Sequence, residues 1–169
     1  MTTHLYYDTS ALVKEFVSEI GSDLIDKIGA VAVNKQVQVI TSVWSINETI
    51  AVIDRLSRRP RNPLTKIEKQ EIMATLAQRI KNSSERAAFK FAPMEHRIIA
   101  NSRILIDQLH VSPDDAVHLY TAFIFDCQYF LVHDDKIVSK LKDDPIEGMK
   151  VIDLGSEGDR NMLAGQLGL

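Results

Sequence analysis

Cysteine is nearly missing from this chain: Cys127 is the single one, so no internal disulfide can form and a reducing, cytoplasmic setting is expected. It sits in the apolar run FIFDCQYF, which suits a buried spectator thiol better than a nucleophile. No apolar run approaches the ~20 residues a membrane span needs. No basic region followed by an apolar signal segment precedes the first strand, so a soluble protein with no membrane partner is expected. A basic excess is also lacking. The net charge is −3, whereas phosphate binding usually shows as surplus Lys and Arg. That exclusion weakens if several of the 23 acids share one metal site, because bound divalent cations become the largest local charges. Internal repeats, low-complexity linkers and hairpin signals are absent as well.

What is present reads as one domain, since 169 residues suffice to bury a core without staples. The stretch LYYDTSALVKEF sets the pattern: Leu5, Tyr6 and Tyr7 form a short buried strand, and a helix carries Ala11, Leu12, Val13 and Phe16. Thr9 or Ser10 supplies an oxygen that starts the helix. A second helix is expected over about 19 to 33, then a strand in VQVITS and a helix with Ile46, Ile50, Ile53 and Leu56 on one stripe. Pro60 and Pro63 end it, a helix follows from Leu64 to about Lys81, and KNSSER turns the chain. AFKFAP, CQYFLVHDD and MKVIDL are further strands, with helices after each of the first two, one of them opened by SPDDAVHLYTAFIF. Phe89, Phe91, Phe123, Phe125 and Phe130 are read as core, and Trp44 stays open between core and site. Strands alternating with helices predict an α/β domain with a mostly parallel sheet covered on both faces, over residues 1–154. Residues 155–169 hold four of the seven glycines and are expected to be a flexible C-terminal tail.

Four acids stand at element ends or inside apolar stretches. Asp8 follows the first strand, Glu48 lies between Ile46 and Ile50, Asp115 begins DAVHLYTAF, and Asp135 follows YFLV. Each has a local structural role to offer. Asp8 is a good helix cap, Ser45–Glu48 and Ser112–Asp115 have capping-box spacing, and Asp134 and Asp135 suit a helix N-terminus. Together they also suit a single cleft, where four carboxylates repel one another unless a hard divalent ion such as Mg²⁺ or Mn²⁺ is bound.

The segments DTSALVKEF, SVWSINETIAVI, DAVHLYTA and YFLVHDDKI, in this order and spacing and with FKFAP between them, resemble the signature segments of PIN-domain nucleases. The likeness is to the VapC-type ribonuclease toxins of type II toxin–antitoxin pairs, over roughly residues 4 to 154. It implies a three-layer α/β/α fold and an acidic quartet of Asp8, Glu48, Asp115 and Asp135, with Asp8 and Asp115 the most direct metal ligands. Thr9, Ser10 and Ser42 fall where such proteins carry supporting hydroxyls. The implied activity is Mg²⁺-dependent hydrolysis of RNA phosphodiesters by in-line attack of water, with an antitoxin partner and a homodimer. The chain departs from the pattern at His133, which stands where Thr or Ser is usual, and the pairs Asp114–Asp115 and Asp134–Asp135 leave the register open by one residue.

His118, one helical turn from Asp115, is read as a packing or hydrogen-bonding residue, while His133 has the better chance of meeting a phosphate. Arg55, Arg58, Arg59 and Arg61 form the densest basic patch, either as RNA-phosphate contacts or as a solvated helix end. Two other functions compete. A different phosphoryl-transfer hydrolase of α/β class is disfavoured, because Ser10 replaces the second acid of a DxD signature and Tyr7–Asp8 offers only one acid where a receiver domain has two. A catalytically silent module that keeps the fold and binds metal or RNA is the other.

Overall fold

The computed structural model describes residues 2–34, 37–84, 87–143 and 145–169. Five parallel strands form one sheet: β1 (Thr3–Tyr7), β2 (Val37–Ser42), β3 (Phe89–Ala92), β4 (Tyr129–Val132) and β5 (Lys150–Asp153), in the spatial order β3-β2-β1-β4-β5. The α/β expectation holds, with helices on both faces. Between β1 and β2 come α1 (Thr9–Val13) and α2 (Ser22–Val33); between β2 and β3 come α3 (Trp44–Ser57) and α4 (Lys66–Asn82). After β3 the chain forms α5 (His96–Leu109) and α6 (Pro113–Ile124), after β4 α7 (Asp135–Asp143), and after β5 α8 (Glu157–Leu167).

β1 explains the layering. Successive side chains point to opposite faces, so Leu5 and Tyr7 join the core beneath α2 and α8, while Tyr6 joins the core beneath α6 and α7. All three are fully buried, as a central strand covered on both faces requires. Within the second core Tyr6 stacks on Phe130 of β4, their planes 4° apart. A third cluster, Ile53, Leu56 and Ile72, fastens α4 to α3.

Several boundaries differ from expectation, each for a local reason. α1 stops at Val13, and the chain turns through 14–17 instead of continuing as helix to Phe16. α2 starts only at Ser22, because Gly21 takes a positive φ of 90° and lies where a Cβ would come within 2.9 Å of the Leu154 carbonyl oxygen. Thr65 opens α4 with a complete capping box to Glu68. The KNSSER turn includes residues 85 and 86, which lie outside the described residues. Phe123, expected in the core, is half exposed on the outer side of α6.

The largest correction concerns residues 155–169, which are no tail. Ser156 caps α8, accepting from the Asp159 N–H at 3.2 Å, and Leu163 is fully buried in the α2-side core. Arg160 donates to the Leu154 carbonyl at 2.7 Å, and Tyr129 of β4 donates to Gln166 at 2.7 Å. The domain therefore extends through α8. Among the described residues, no helix is long and apolar enough to cross a membrane.

Candidate active site

The sheet order places a site by topology. From β1 the chain steps outward to β2 and β3, then returns to the other side of β1 for β4 and β5. The carboxyl ends of β1 and β4 thus flank the point where the winding reverses, the usual place for a ligand crevice in such sheets. Asp8 follows β1 there, and His133, Asp134 and Asp135 follow β4.

Asp8 is both a cap and a site residue. Its Oδ2 accepts from the Ser10 N–H at 3.1 Å and from the Ser10 hydroxyl at 2.9 Å, which fixes the side chain on α1. Its Oδ1 is left pointing toward His118, whose Nε2 is 3.8 Å away. The Ser10 hydroxyl in turn accepts from the His133 N–H at 2.8 Å, so one serine ties the ends of β1 and β4 together. The supporting place given to Ser10 matches this geometry.

Glu48 is not half of a capping box. No side chain caps α3, and Ser45 Oγ pairs with Thr41 Oγ1 at 2.8 Å instead. Glu48 turns inward, where its Oε2 accepts from the Thr9 hydroxyl and from His118 Nε2, the latter at 2.8 Å. Burial opposes charge on Glu48, yet the His118 and Thr9 hydrogen bonds outweigh it and hold the carboxyl below its ordinary pKa. Ser42 serves differently from a ligand-supporting hydroxyl. Its Oγ accepts from the Trp44 N–H at 3.1 Å, and its own N–H donates to the Tyr6 phenol at 3.1 Å.

His118 is the residue that gathers the acids. It is 2% exposed and projects from α6 between Glu48 and the Tyr6 hydroxyl, which lies 2.8 Å from Nδ1. Tyr6 keeps its proton, because burial and then the field of Asp8 raise its pKa well above the ordinary value. With Tyr6 donating to Nδ1, Nε2 carries the proton directed at Glu48. Burial disfavours the charged imidazole, but the Glu48 hydrogen bond and the fields of Asp8, Glu48 and Asp115 together raise its pKa. The sequence marked His118 as a hydrogen-bonding residue through its place one turn after Asp115. That three acids would share it was visible only in three dimensions.

Asp115 completes its predicted capping box: Ser112 Oγ accepts from the Asp115 N–H at 3.2 Å, and Asp115 Oδ2 accepts from the Ser112 N–H at 3.4 Å. Its pKa is raised, first by burial and then by the fields of Asp8 and Asp134 against the lowering effect of Ser112. Asp134 caps α7, its Oδ1 accepting from the N–H groups of Lys136 and Ile137 at 2.8 and 3.2 Å. Asp135 is the exposed first residue of α7. Asp8, Glu48 and Asp115 are thus brought together around His118, with Asp134 felt by Asp115. Asp135 and His133 stand exposed at the rim.

Among the described residues, no three His, Cys, Asp or Glu side chains close on a common ion position as they stand. The donor chemistry nevertheless fits a hard cation. Asp8 and Asp115 each bond through one oxygen and leave the other without a hydrogen-bond partner among the described residues, and their mutual field is repulsive. Mg²⁺ is commonly held by one or two carboxylates with water and phosphate oxygens filling the rest of its octahedron, so two acids suffice.

Of the basic patch, Arg58 is paired with Asp54 one turn earlier on α3, and Asp54 also takes Lys69 at 2.7 Å. Arg55, Arg59 and Arg61 are exposed. Cys127 is buried, its thiol pushed up to about 12 chiefly by burial, as befits a spectator.

No protein-family model matches the chain, and no curated protein matches its sequence. Solved structures do share its fold. A toxin–antitoxin complex from Klebsiella pneumoniae aligns over 86% of this chain and 95% of its own at 14% identity, with a TM-score of 0.56. The crystal structure of PAE2754 from Pyrobaculum aerophilum aligns over 99% and 98% at 13% identity, with a TM-score of 0.58. At these identities the likeness is one of fold: a parallel five-stranded α/β/α domain of the kind found in a toxin–antitoxin complex.

Proposed function

We propose that the protein is a metal-dependent endoribonuclease and the toxin of a toxin–antitoxin pair. The observation that carries this reading is the convergence of Asp8, Glu48 and Asp115 on one buried imidazole at the carboxyl edge of β1 and β4. The fold it shares with a chain of a toxin–antitoxin complex supports it, as does the resemblance of the four acidic segments to PIN-domain nucleases. An antitoxin partner, a homodimer and a cytoplasmic setting belong to the same proposal.

Asp8 and Asp115 are the residues that would hold Mg²⁺, with Mn²⁺ an alternative, and Asp134 or Asp135 would stand at the edge of that site. When bound, the ion supplies charge neutralisation at the scissile phosphate and acidifies water. The protein's own groups do the rest. Ser10 fixes the rotamer of Asp8 through Oδ2 and leaves Oδ1 open to the cleft. Thr9 and His118 fix Glu48 in its charged form, so a carboxylate is available at neutral pH to orient or accept a proton from an attacking water. Burial of His118 and Tyr6 keeps this arrangement rigid before substrate arrives.

The test is an RNA cleavage assay with Mg²⁺ or EDTA, run on wild type and Asp8→Asn beside thermal melts. Wild type should cleave only with Mg²⁺. Asp8→Asn should remain folded and lose about a hundredfold or more in rate, because a neutral amide holds the ion poorly and misplaces the reacting groups. Added Mg²⁺ should raise the melting temperature of wild type more than that of the variant. Cleavage by Asp8→Asn at the wild-type rate would overturn the reading. A silent module is the second reading, favoured by the engagement of Glu48 with Thr9 and His118. It wins if Mg²⁺ stabilises wild type and neither protein cleaves.

A further inference from the structure

A cavity of about 220 Å³ joins the basic end of α3 to the acid cluster. Ser10 and His133 form its wall on the side of the acids, and Arg55 and Arg59 line its other side. We propose that this cavity seats a backbone phosphate of single-stranded RNA next to the one lying at Asp8, with Arg55 and Arg59 supplying the charge. The proposal rests on the ribonuclease reading and names a subsite for it.

The connection to the acid cluster is physical. Ser10 contributes to the cavity wall and donates to Asp8 Oδ2 at 2.9 Å, while its oxygen accepts from the His133 N–H at 2.8 Å. A strand leaving Asp8 over Ser10 therefore enters the cavity directly.

The charges divide the arginine patch in two. Lys14 also borders the cavity, but its side chain is 1% exposed and is matched by Glu19 at 3.2 Å, so that pair adds little net field. Arg58 is matched by Asp54 and does not line the cavity. Arg55 and Arg59 line it, and neither has an ion-pair partner among the described residues. They also sit at the C-terminal end of α3, where the helix dipole disfavours an anion, so a phosphate held there depends on these two side chains. The acids next door increase that dependence, since a polyanion approaching them needs compensating charge.

Size and floor decide what kind of ligand fits. The volume is below the ~300–1,000 Å³ of an enclosed small-molecule site, which suits one unit of a polymer better than a free cofactor. Val13, Val52 and Leu56 give the floor an apolar surface against which a sugar can lie while its phosphate meets the guanidinium groups.

Binding of a fluorescein-labelled, mixed-sequence 12-nucleotide RNA is to be followed by anisotropy on the full chain, in EDTA and across a salt series. Wild type is compared with Arg55→Gln/Arg59→Gln and with Arg58→Gln/Arg61→Gln, two doubles of equal charge change, each checked by thermal melt. The first double should bind at least tenfold more weakly and flatten the log–log salt slope by about 1.4, near 0.7 per lost single-strand phosphate contact. The second should lose less than threefold. Equal losses in both doubles, no loss in either, or no binding by wild type would overturn the subsite. Parallel cleavage assays with Mg²⁺ separate the two claims. Cleavage by wild type with binding indifferent to Arg55 and Arg59 removes the subsite and leaves the ribonuclease. Binding that depends on the pair without any cleavage removes the ribonuclease and leaves an RNA seat.

Discussion

Asp8 shows how one residue holds two roles that the sequence offered as alternatives. A carboxylate has two oxygens; Ser10 takes one as a helix cap, and the other remains directed at the cleft. The same division applies to Asp115 with Ser112. Glu48 is the exception, because its Oε2 is shared between Thr9 and His118. That sharing makes a prediction about charge. The pKa of His118 lies above the ordinary 6.5 with Glu48 as the leading upward influence, so Glu48→Gln should lower it. The imidazole C–H resonance of His118, followed by NMR over a pH series, should shift its midpoint downward in the variant. An unchanged midpoint would mean that the bond between the two side chains is not what charges the ring. The sign for stability follows: the contribution of His118 is fully present below pH 6.5 and fades as pH rises through the elevated value.

Elements were legible where pattern and chemistry agreed. All five strands were expected from short apolar runs, and the Ser112–Asp115 box with Pro113 formed as its spacing implied, because those signals are local. The Ser45–Glu48 box had the same spacing and did not form. Tertiary partners decided it: Thr41 pairs with Ser45, and Thr9 with His118 draws Glu48 into the site. The acids of the site could be named from sequence, whereas their dependence on Tyr6 and His118 could not, since those residues lie 112 apart in the chain. α8 was hidden by its composition, as four glycines within fifteen residues argue for a tail. Its stability comes from docking, not propensity. Leu163→Ala removes the helix's fully buried anchor and should destabilise the protein by about 2–5 kcal/mol. Urea unfolding measures this directly; a change below about 0.5 kcal/mol would show that α8 adds little to the domain.

At the scale of the whole molecule, the two faces of the sheet carry opposite electrostatic designs. On the face of α6, buried polar groups are linked: Tyr6, His118, Glu48 and Asp8 satisfy one another. On the face of α2 and α4 they are not. Glu15, with a side chain 7% exposed, lies 2.7 Å from Arg79 Nη2, but the approach is not aligned for hydrogen bonding, and Glu15 Oε2, Arg79 Nε and the Tyr7 hydroxyl lack hydrogen-bond partners among the described residues. Burial, resisted by Arg79 and assisted by Asp26, raises the Glu15 carboxyl from 4.5 to about 7. Because the folded state then binds this proton more tightly than the unfolded state, the stabilisation is complete below pH 4.5 and is lost as pH rises through about 7. The difference is on the order of 2–3 kcal/mol across that window, from about 1.4 kcal/mol per unit of displacement. Other groups, His118 among them, titrate in the same range, so the informative quantity is a comparison. Glu15→Gln removes this ionisation and keeps the shape, so its unfolding free energy should fall less than that of wild type between pH 5 and pH 8. Parallel pH profiles for the two proteins would show that Arg79 fully compensates the buried charge, and that Glu15 is ionised throughout.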